Sequence, residues 1–162
     1  MDERKPTEKF HCAAERVAWE IMSTNVRLVE LRDFWAKQIG VTGPQWMILA
    51  VLANTDRHVG LSVGALSKTL RVAQSFVTAQ TNLLEQKSLL RRKNSTEDAR
   101  VVNLFLTERA YKQLASIGSK KDDLNEFIYS GLDLKDLTEL AEKISTIKQR
   151  VEKALLRASS NQ

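Results

Sequence analysis

Between positions 74 and 82 a row of hydrogen-bonding but uncharged side chains recurs at helical steps: Gln74, Ser75, Thr78 and Asn82, with Phe76 and Ala79 among them. A side-chain amide carries a carbonyl acceptor and an N–H donor in one plane, so Gln and Asn can bond the major-groove edge of adenine bidentately. Hydroxyls bond bases or phosphates, and Phe or Ala can pack on a thymine methyl. No Arg or Lys falls on this outer face before Lys87. The expected reading is therefore of A·T-rich half-sites, without the usual arginine–guanine contacts. Further along stand Arg92 and Lys93, then Asp98 and Arg100 two residues apart in a strand-like stretch. A carboxylate so placed can hold a guanidinium by paired hydrogen bonds, and an oriented arginine suits a narrow minor groove. The chemistry these types can do is recognition of double-stranded DNA.

The elements that must position them follow from local pattern. Ser62 can cap a short helix over Val63–Leu70, and a second helix runs from about Gln74 to Lys87 with Val77, Thr81 and Leu84 facing inward. Leu89–Asn94 reads as extended, Ser95–Asp98 as a turn, and Arg100–Leu106 alternates, with Val102, Leu104 and Leu106 on one side. That is a β-hairpin with a charged tip. Two short helices followed by such a hairpin make a winged helix-turn-helix lobe, assigned to residues 41–106, with its reading face between Ser62 and Leu106 and with Ser62, Arg92 and Lys93 counted among the residues expected to bind DNA. The predicted fold class is mainly α with a small β-hairpin wing. Thr42, Pro44 and Gln45 open an all-apolar helix through about Ala53, as expected of a buried one.

Outside the lobe, a helix from about Glu8 to Gly40 carries Phe10, Ala14, Val17, Ile21, Leu28, Leu31 and Trp35 on one face. Thr107 caps a helix to about Ser130, interrupted near Gly118, and Asp133 caps a last one in which Leu137, Ile144 and Val151 are spaced by seven, as are Leu140, Ile147 and Ala154. Residues 1–40 and 107–162 are read as dimerisation helices, since their stripes exceed what so small a monomer can bury. An intrachain helical hairpin is the alternative.

Charge points to the same segment. The chain of 162 residues has a formal net charge of +5. Residues 57–112 hold ten Lys/Arg (Arg57, Lys68, Arg71, Lys87, Arg91, Arg92, Lys93, Arg100, Arg109 and Lys112) against four acids, while the flanking stretches are nearly neutral. A basic module within a neutral scaffold fits an anionic partner. The N-terminus has no secretory h-region and no apolar run is long enough to span a membrane, so a cytoplasmic protein is expected. The single cysteine, Cys12, excludes an intrachain disulfide. His11, His58 and Cys12 lack metal-ligand spacing, and no nucleophile–base set or phosphate loop can be assembled. No metal, no cofactor and no catalysis are expected.

The stretches Val41-Thr-Gly-Pro-Gln-Trp46, Ser75-Phe-Val-Thr78 through Leu84-Glu-Gln-Lys-Ser-Leu89, and Asp98-Ala-Arg100 with Leu106-Thr107 resemble those of the MarR family of winged-helix transcriptional regulators. The resemblance covers about residues 17–155. It implies a homodimer joined by terminal helices, each lobe reading half of a pseudo-palindrome, with Asp98 and Arg100 as the wing pair and Ser75, Phe76, Thr78, Ala79 and Asn82 facing the major groove. Ala79 stands where the family often has a basic residue. Ser88 stands where it usually has glycine, so a less sharply left-handed turn is expected there. Many relatives are repressors released by a small aromatic acid. Here that crevice would draw on Met22, Asn25, Val26, Phe34, Trp35, Trp46 and Met47, with Arg27 or Arg32 for the carboxylate. Other relatives sense oxidants through a first-helix cysteine, but Cys12 lies far from Thr42 and no Tyr accompanies it. The alternatives are a redox-sensing regulator using Cys12 and a winged-helix module that binds protein.

Overall fold

The computed structural model describes residues 6–94 and 101–160. The expected Asp98–Arg100 wing pair lies outside the described residues. The chain divides into two compact units, Met1–Gly118 and Ser119–Gln162.

In the first unit, helix α1 spans Pro6–Gln38 and α2 spans Gly43–Ala53. The turn between them contains Gly40, whose φ of +68° is the left-handed region that glycine adopts without strain. Thr42 accepts a hydrogen bond from the Gln45 N–H, and the Gln45 side chain accepts one from the Thr42 N–H. This is the capping box read from the sequence. It points α2 into the centre of the lobe, where α1, helices α3 (Val63–Leu70) and α4 (Gln74–Gln86) and strand β3 (Val102–Leu106) all touch it. Trp46, Ile48, Leu49 and Leu52 are buried there, together with Trp35 and Ala36 from the last turns of α1 and Ile39 in the turn just after it.

Strand β1 (Leu61–Ser62) leads into α3 (Val63–Leu70), then α4 (Gln74–Gln86), β2 (Leu90–Asn94), β3 (Val102–Leu106) and α5 (Glu108–Ser116). Ser62 Oγ accepts from the Ala65 N–H and so caps α3, as its position predicted. The strands form an antiparallel sheet in the order β1-β3-β2, with Leu61 opposite Leu104 and Arg92 opposite Leu104 on the other side.

Three features differ from the sequence reading. The wing has a third strand, β1, too short at two residues to show an alternation. Leu104, Phe105 and Leu106 are all buried, so the end of β3 does not alternate. It is covered on both faces, Phe105 by the Arg91 guanidinium, which stands 4.7 Å from the ring centre. Ser88 takes φ +57°, a fully left-handed turn despite its Cβ. The turn must reverse the chain between α4 and β2, and the backbone bonds from the Ser88 N–H to Glu85 O and the Leu89 N–H to Leu84 O close it.

Helix α6 covers Gly118–Ile128, all but its first residue in the second unit, and α7 covers Leu134–Ser159. The break between α5 and α6 falls at Ile117, where interruption was expected. Asp133 and Asp136 form a reciprocal cap on α7. Most apolar positions of α7 stay exposed: Leu140, Ile144, Ile147, Val151 and Leu155 lie open, while Leu137 is half-buried.

Candidate nucleic-acid interface

Helix α4 is fixed from within. Val77, Thr81 and Leu84 are fully buried, one face of the helix at steps of four and three. The opposite face is open, and all six residues assigned to it from sequence (Gln74, Ser75, Phe76, Thr78, Ala79 and Asn82) are exposed. The approach to α4 is a tight turn. Arg71 adopts a left-handed φ of +57°, and Ser67 Oγ donates to Val72 O at 2.6 Å. Gly64 of α3 lets the helices close: a Cβ there would stand 3.0 Å from the Gln74 side-chain nitrogen. Ala73 supplies no side-chain cap to α4, so the first turn of the exposed helix presents its N–H groups, a favourable end for phosphate.

The cations around this face are largely committed to the protein. Lys87, just past α4, turns its ammonium back to donate to Gly40 O at 2.7 Å and to Gln45 Oε1 at 3.5 Å. It ties the end of the helix to the α1–α2 turn. Gln45, 2% exposed, also donates to Gln80 Oε1. Arg92, on β2, folds over α4. Its Nε donates to Glu85 Oε2 at 3.0 Å, and its Nη2 donates to Thr81 Oγ1 at 2.8 Å and to Asn82 Oδ1 at 2.6 Å. The Arg92 side chain is only 25% exposed. Lys93 is exposed one residue on, opposite Asn103. Arg57 lies over the Tyr111 ring at 3.6 Å. Sequence reasoning did not name Glu85 as a partner. The only signal was an opposite charge seven residues before Arg92, and its meaning depends on the strand folding back along the helix.

The residues assigned to an effector crevice are not of one kind. Trp35 and Trp46 are core, whereas Met22, Val26, Phe34 and Met47 are exposed. Asn25 is exposed as well. Arg27 pairs with Glu30 and Arg32 with Asp33. A surface cavity of about 490 Å³ opens elsewhere, where α4 ends, lined by Ile39, Gly40, Gln86, Lys87, Ser88, Leu89, Arg109 and Gln113. Cys12 is exposed and forms no disulfide.

Comparison with known proteins agrees with this geometry. A family model described as the MarR family matches residues 39–101. The chain is 39% identical over 79 residues to the HTH-type transcriptional repressor MdtR of Bacillus subtilis (strain 168), covering 49% of this chain and 48% of the relative. The match thus spans about half the length of that relative. Among solved structures, the fold is similar to a MarR family transcription regulator SP03579 (TM-score 0.75, 17% identity, 94% of this chain and 99% of that one). It is also similar to the transcription regulator MarR from Oenococcus oeni PSU-1 (0.66, 23%, 82% and 98%) and to S. aureus MepR in a DNA complex (0.70, 19%, 83% and 95%). At these identities the structural likeness shows the fold.

Proposed function

We propose that this chain is a transcriptional regulator of the MarR family that binds double-stranded DNA as a homodimer, one winged lobe on each half of a pseudo-palindromic site. The observation that carries the proposal is the two-sided character of α4. Its inner face is locked in the core by Val77, Thr81 and Leu84, while Gln74, Ser75, Phe76, Thr78, Ala79 and Asn82 stand open on the other. A rigid helix with an exposed hydrogen-bonding face is what major-groove readout requires. The wing would add Lys93 on β2 and, at the tip, Arg100 held by Asp98. Ser62 would act by capping α3. Repression is the favoured sign, by analogy with the MdtR repressor.

The homodimer is supported by apolar side chains that each unit leaves uncovered: Phe10, Val17, Trp19 and Met22 on α1, and Leu140, Ile144, Val151 and Leu155 on α7. A small aromatic acid is proposed as the releasing ligand. Exposed Met22, Asn25, Val26, Phe34 and Met47 on α1 and α2 would meet its ring, and Arg27 or Arg32 its carboxylate. No helix among the described residues is long and apolar enough to cross a membrane, and the proposed place of action is the cytoplasm.

The test is selection of binding sites from random duplexes, followed by anisotropy titration of the selected site at several salt concentrations. A specific duplex with steeply salt-dependent affinity is expected, because neutralised phosphates release counterions. Arg100→Ala should weaken binding to all duplexes alike. Sequence-blind binding with a shallow salt response would instead favour a protein-binding module.

A further inference from the structure

We propose that Arg92 is a positioning residue that sets which base Asn82 can read, and that Asn82 consequently selects a keto base, guanine before thymine, rather than adenine. The inference rests on the DNA-reading role proposed above for α4.

The argument is one of donors and acceptors. A guanidinium nitrogen can only donate, so the atom of Asn82 that lies 2.6 Å from Arg92 Nη2 must be its carbonyl oxygen. Bidentate reading of adenine needs that same oxygen to accept from the adenine N6 amino group while the side-chain N–H donates to N7. With one lone pair of Oδ1 taken by the guanidinium, Asn82 has two N–H donors against a single remaining lone pair to offer the groove. Guanine presents two acceptors side by side, O6 and N7, and thymine presents O4. Adenine and cytosine present amino groups, which meet the Asn82 N–H groups donor to donor. Turning the amide over would restore the acceptor to the groove only by aiming its N–H groups at the guanidinium, again donor to donor.

The arrangement is held from several sides. Arg92 also bonds Thr81 Oγ1, which is fully buried, and Glu85 Oε2. Residue 92 faces α4 because β2 alternates, and its neighbour Arg91 goes to Phe105 instead. Leu104, its partner across the ladder, is fully buried. Strand β2 and helix α4 are thereby joined at a residue of the proposed reading face.

Sites selected from random duplexes by the full-length parent, by Asn82→Ala and by Arg92→Ala test the proposal. In the parent, the half-site position whose preference disappears in Asn82→Ala should carry guanine or thymine, favoured over adenine on the order of tenfold. In Arg92→Ala the freed oxygen should move that one position toward adenine, with the other positions unchanged. A merely structural role for Arg92 would weaken every position together. Adenine at the Asn82-dependent position of the parent overturns the proposal, as does an Arg92→Ala site identical to the parent's or an Asn82→Ala site with no altered position. If Arg92→Ala does not fold, the parent and Asn82→Ala comparison alone still decides between keto base and adenine. A parent that selects no sequence at all overturns the DNA-reading proposal beneath this one, and is recognised before either variant is made.

Discussion

Ser88 holds a φ of +57° between α4 and β2. For a residue with a Cβ this region costs about 1–2 kcal/mol, and the cost is met because the turn must close before β2 can pair. Glycine would remove the strain and return about 0.5–1 kcal/mol through the greater freedom of the unfolded chain. Ser88→Gly should therefore stabilise the protein by up to about 1 kcal/mol, read as a rise in the urea midpoint at unchanged slope. A lowered midpoint would mean that the Ser88 side chain contributes something the backbone account omits. At this scale the sequence was readable wherever a residue acts on its near neighbours. The Thr42–Gln45 box and the Ser62, Thr107 and Asp133 caps could all be read from spacing. Asn82 shows the opposite case. Its exposure followed from helical periodicity, but its partner is ten residues away on a strand that folds back, and spacing along the chain does not carry that.

Among the elements, the wing is held by contacts that link it to helices at both ends. Thr107 Oγ1 donates to Ser88 O at 2.8 Å and accepts from the Ala110 N–H, so one hydroxyl caps α5 and closes the turn before β2. Thr107→Ala should cost about 1–2 kcal/mol in denaturant unfolding; a loss under about 0.5 kcal/mol would show that water replaces both bonds. On the other edge, Gly60 sits at φ +66° just before β1, and a Cβ there would stand 2.6 Å from the Phe105 ring and 2.8 Å from Leu104 O. Strain and overpacking add, so Gly60→Ala should cost about 2–4 kcal/mol, with amide exchange rising first in β1 and the end of β3. Helices were legible because a 3.6-residue period recurs over many residues. Strand β1 was not, since two residues hold no period. The burial of Leu104, Phe105 and Leu106 was also hidden, because alternation describes a sheet with one wet face and the end of β3 has none.

For the whole molecule, two quantities separate a dimeric DNA-binding protein from a basic monomer. The first is association through the exposed seam of α7. Ile144→Asp with Val151→Asp should leave the helical content intact but yield a monomer by sedimentation, and weaken binding to a two-half-site duplex at least tenfold; a dimer unchanged by both charges would place the interface elsewhere. The second is the salt slope, where structure changes what composition suggested. Composition puts ten cations in residues 57–112. Among the described residues at least four of them are turned onto the protein: Arg57 over Tyr111, Arg91 over Phe105, Lys87 on Gly40 and Gln45, and Arg92 on α4. If ten cations met phosphate in each lobe, a dimer would neutralise about twenty, and log affinity would fall with log salt at a slope near −18. If Lys68, Lys93 and Arg100 carry the contact, a dimer neutralises about six and the slope should be near −5. Anisotropy titrations of the selected duplex between 50 and 300 mM salt measure it directly. A slope steeper than about −10 would mean that the four folded-back cations release their protein partners on binding, and that Arg92 in particular does not keep its hold on Asn82.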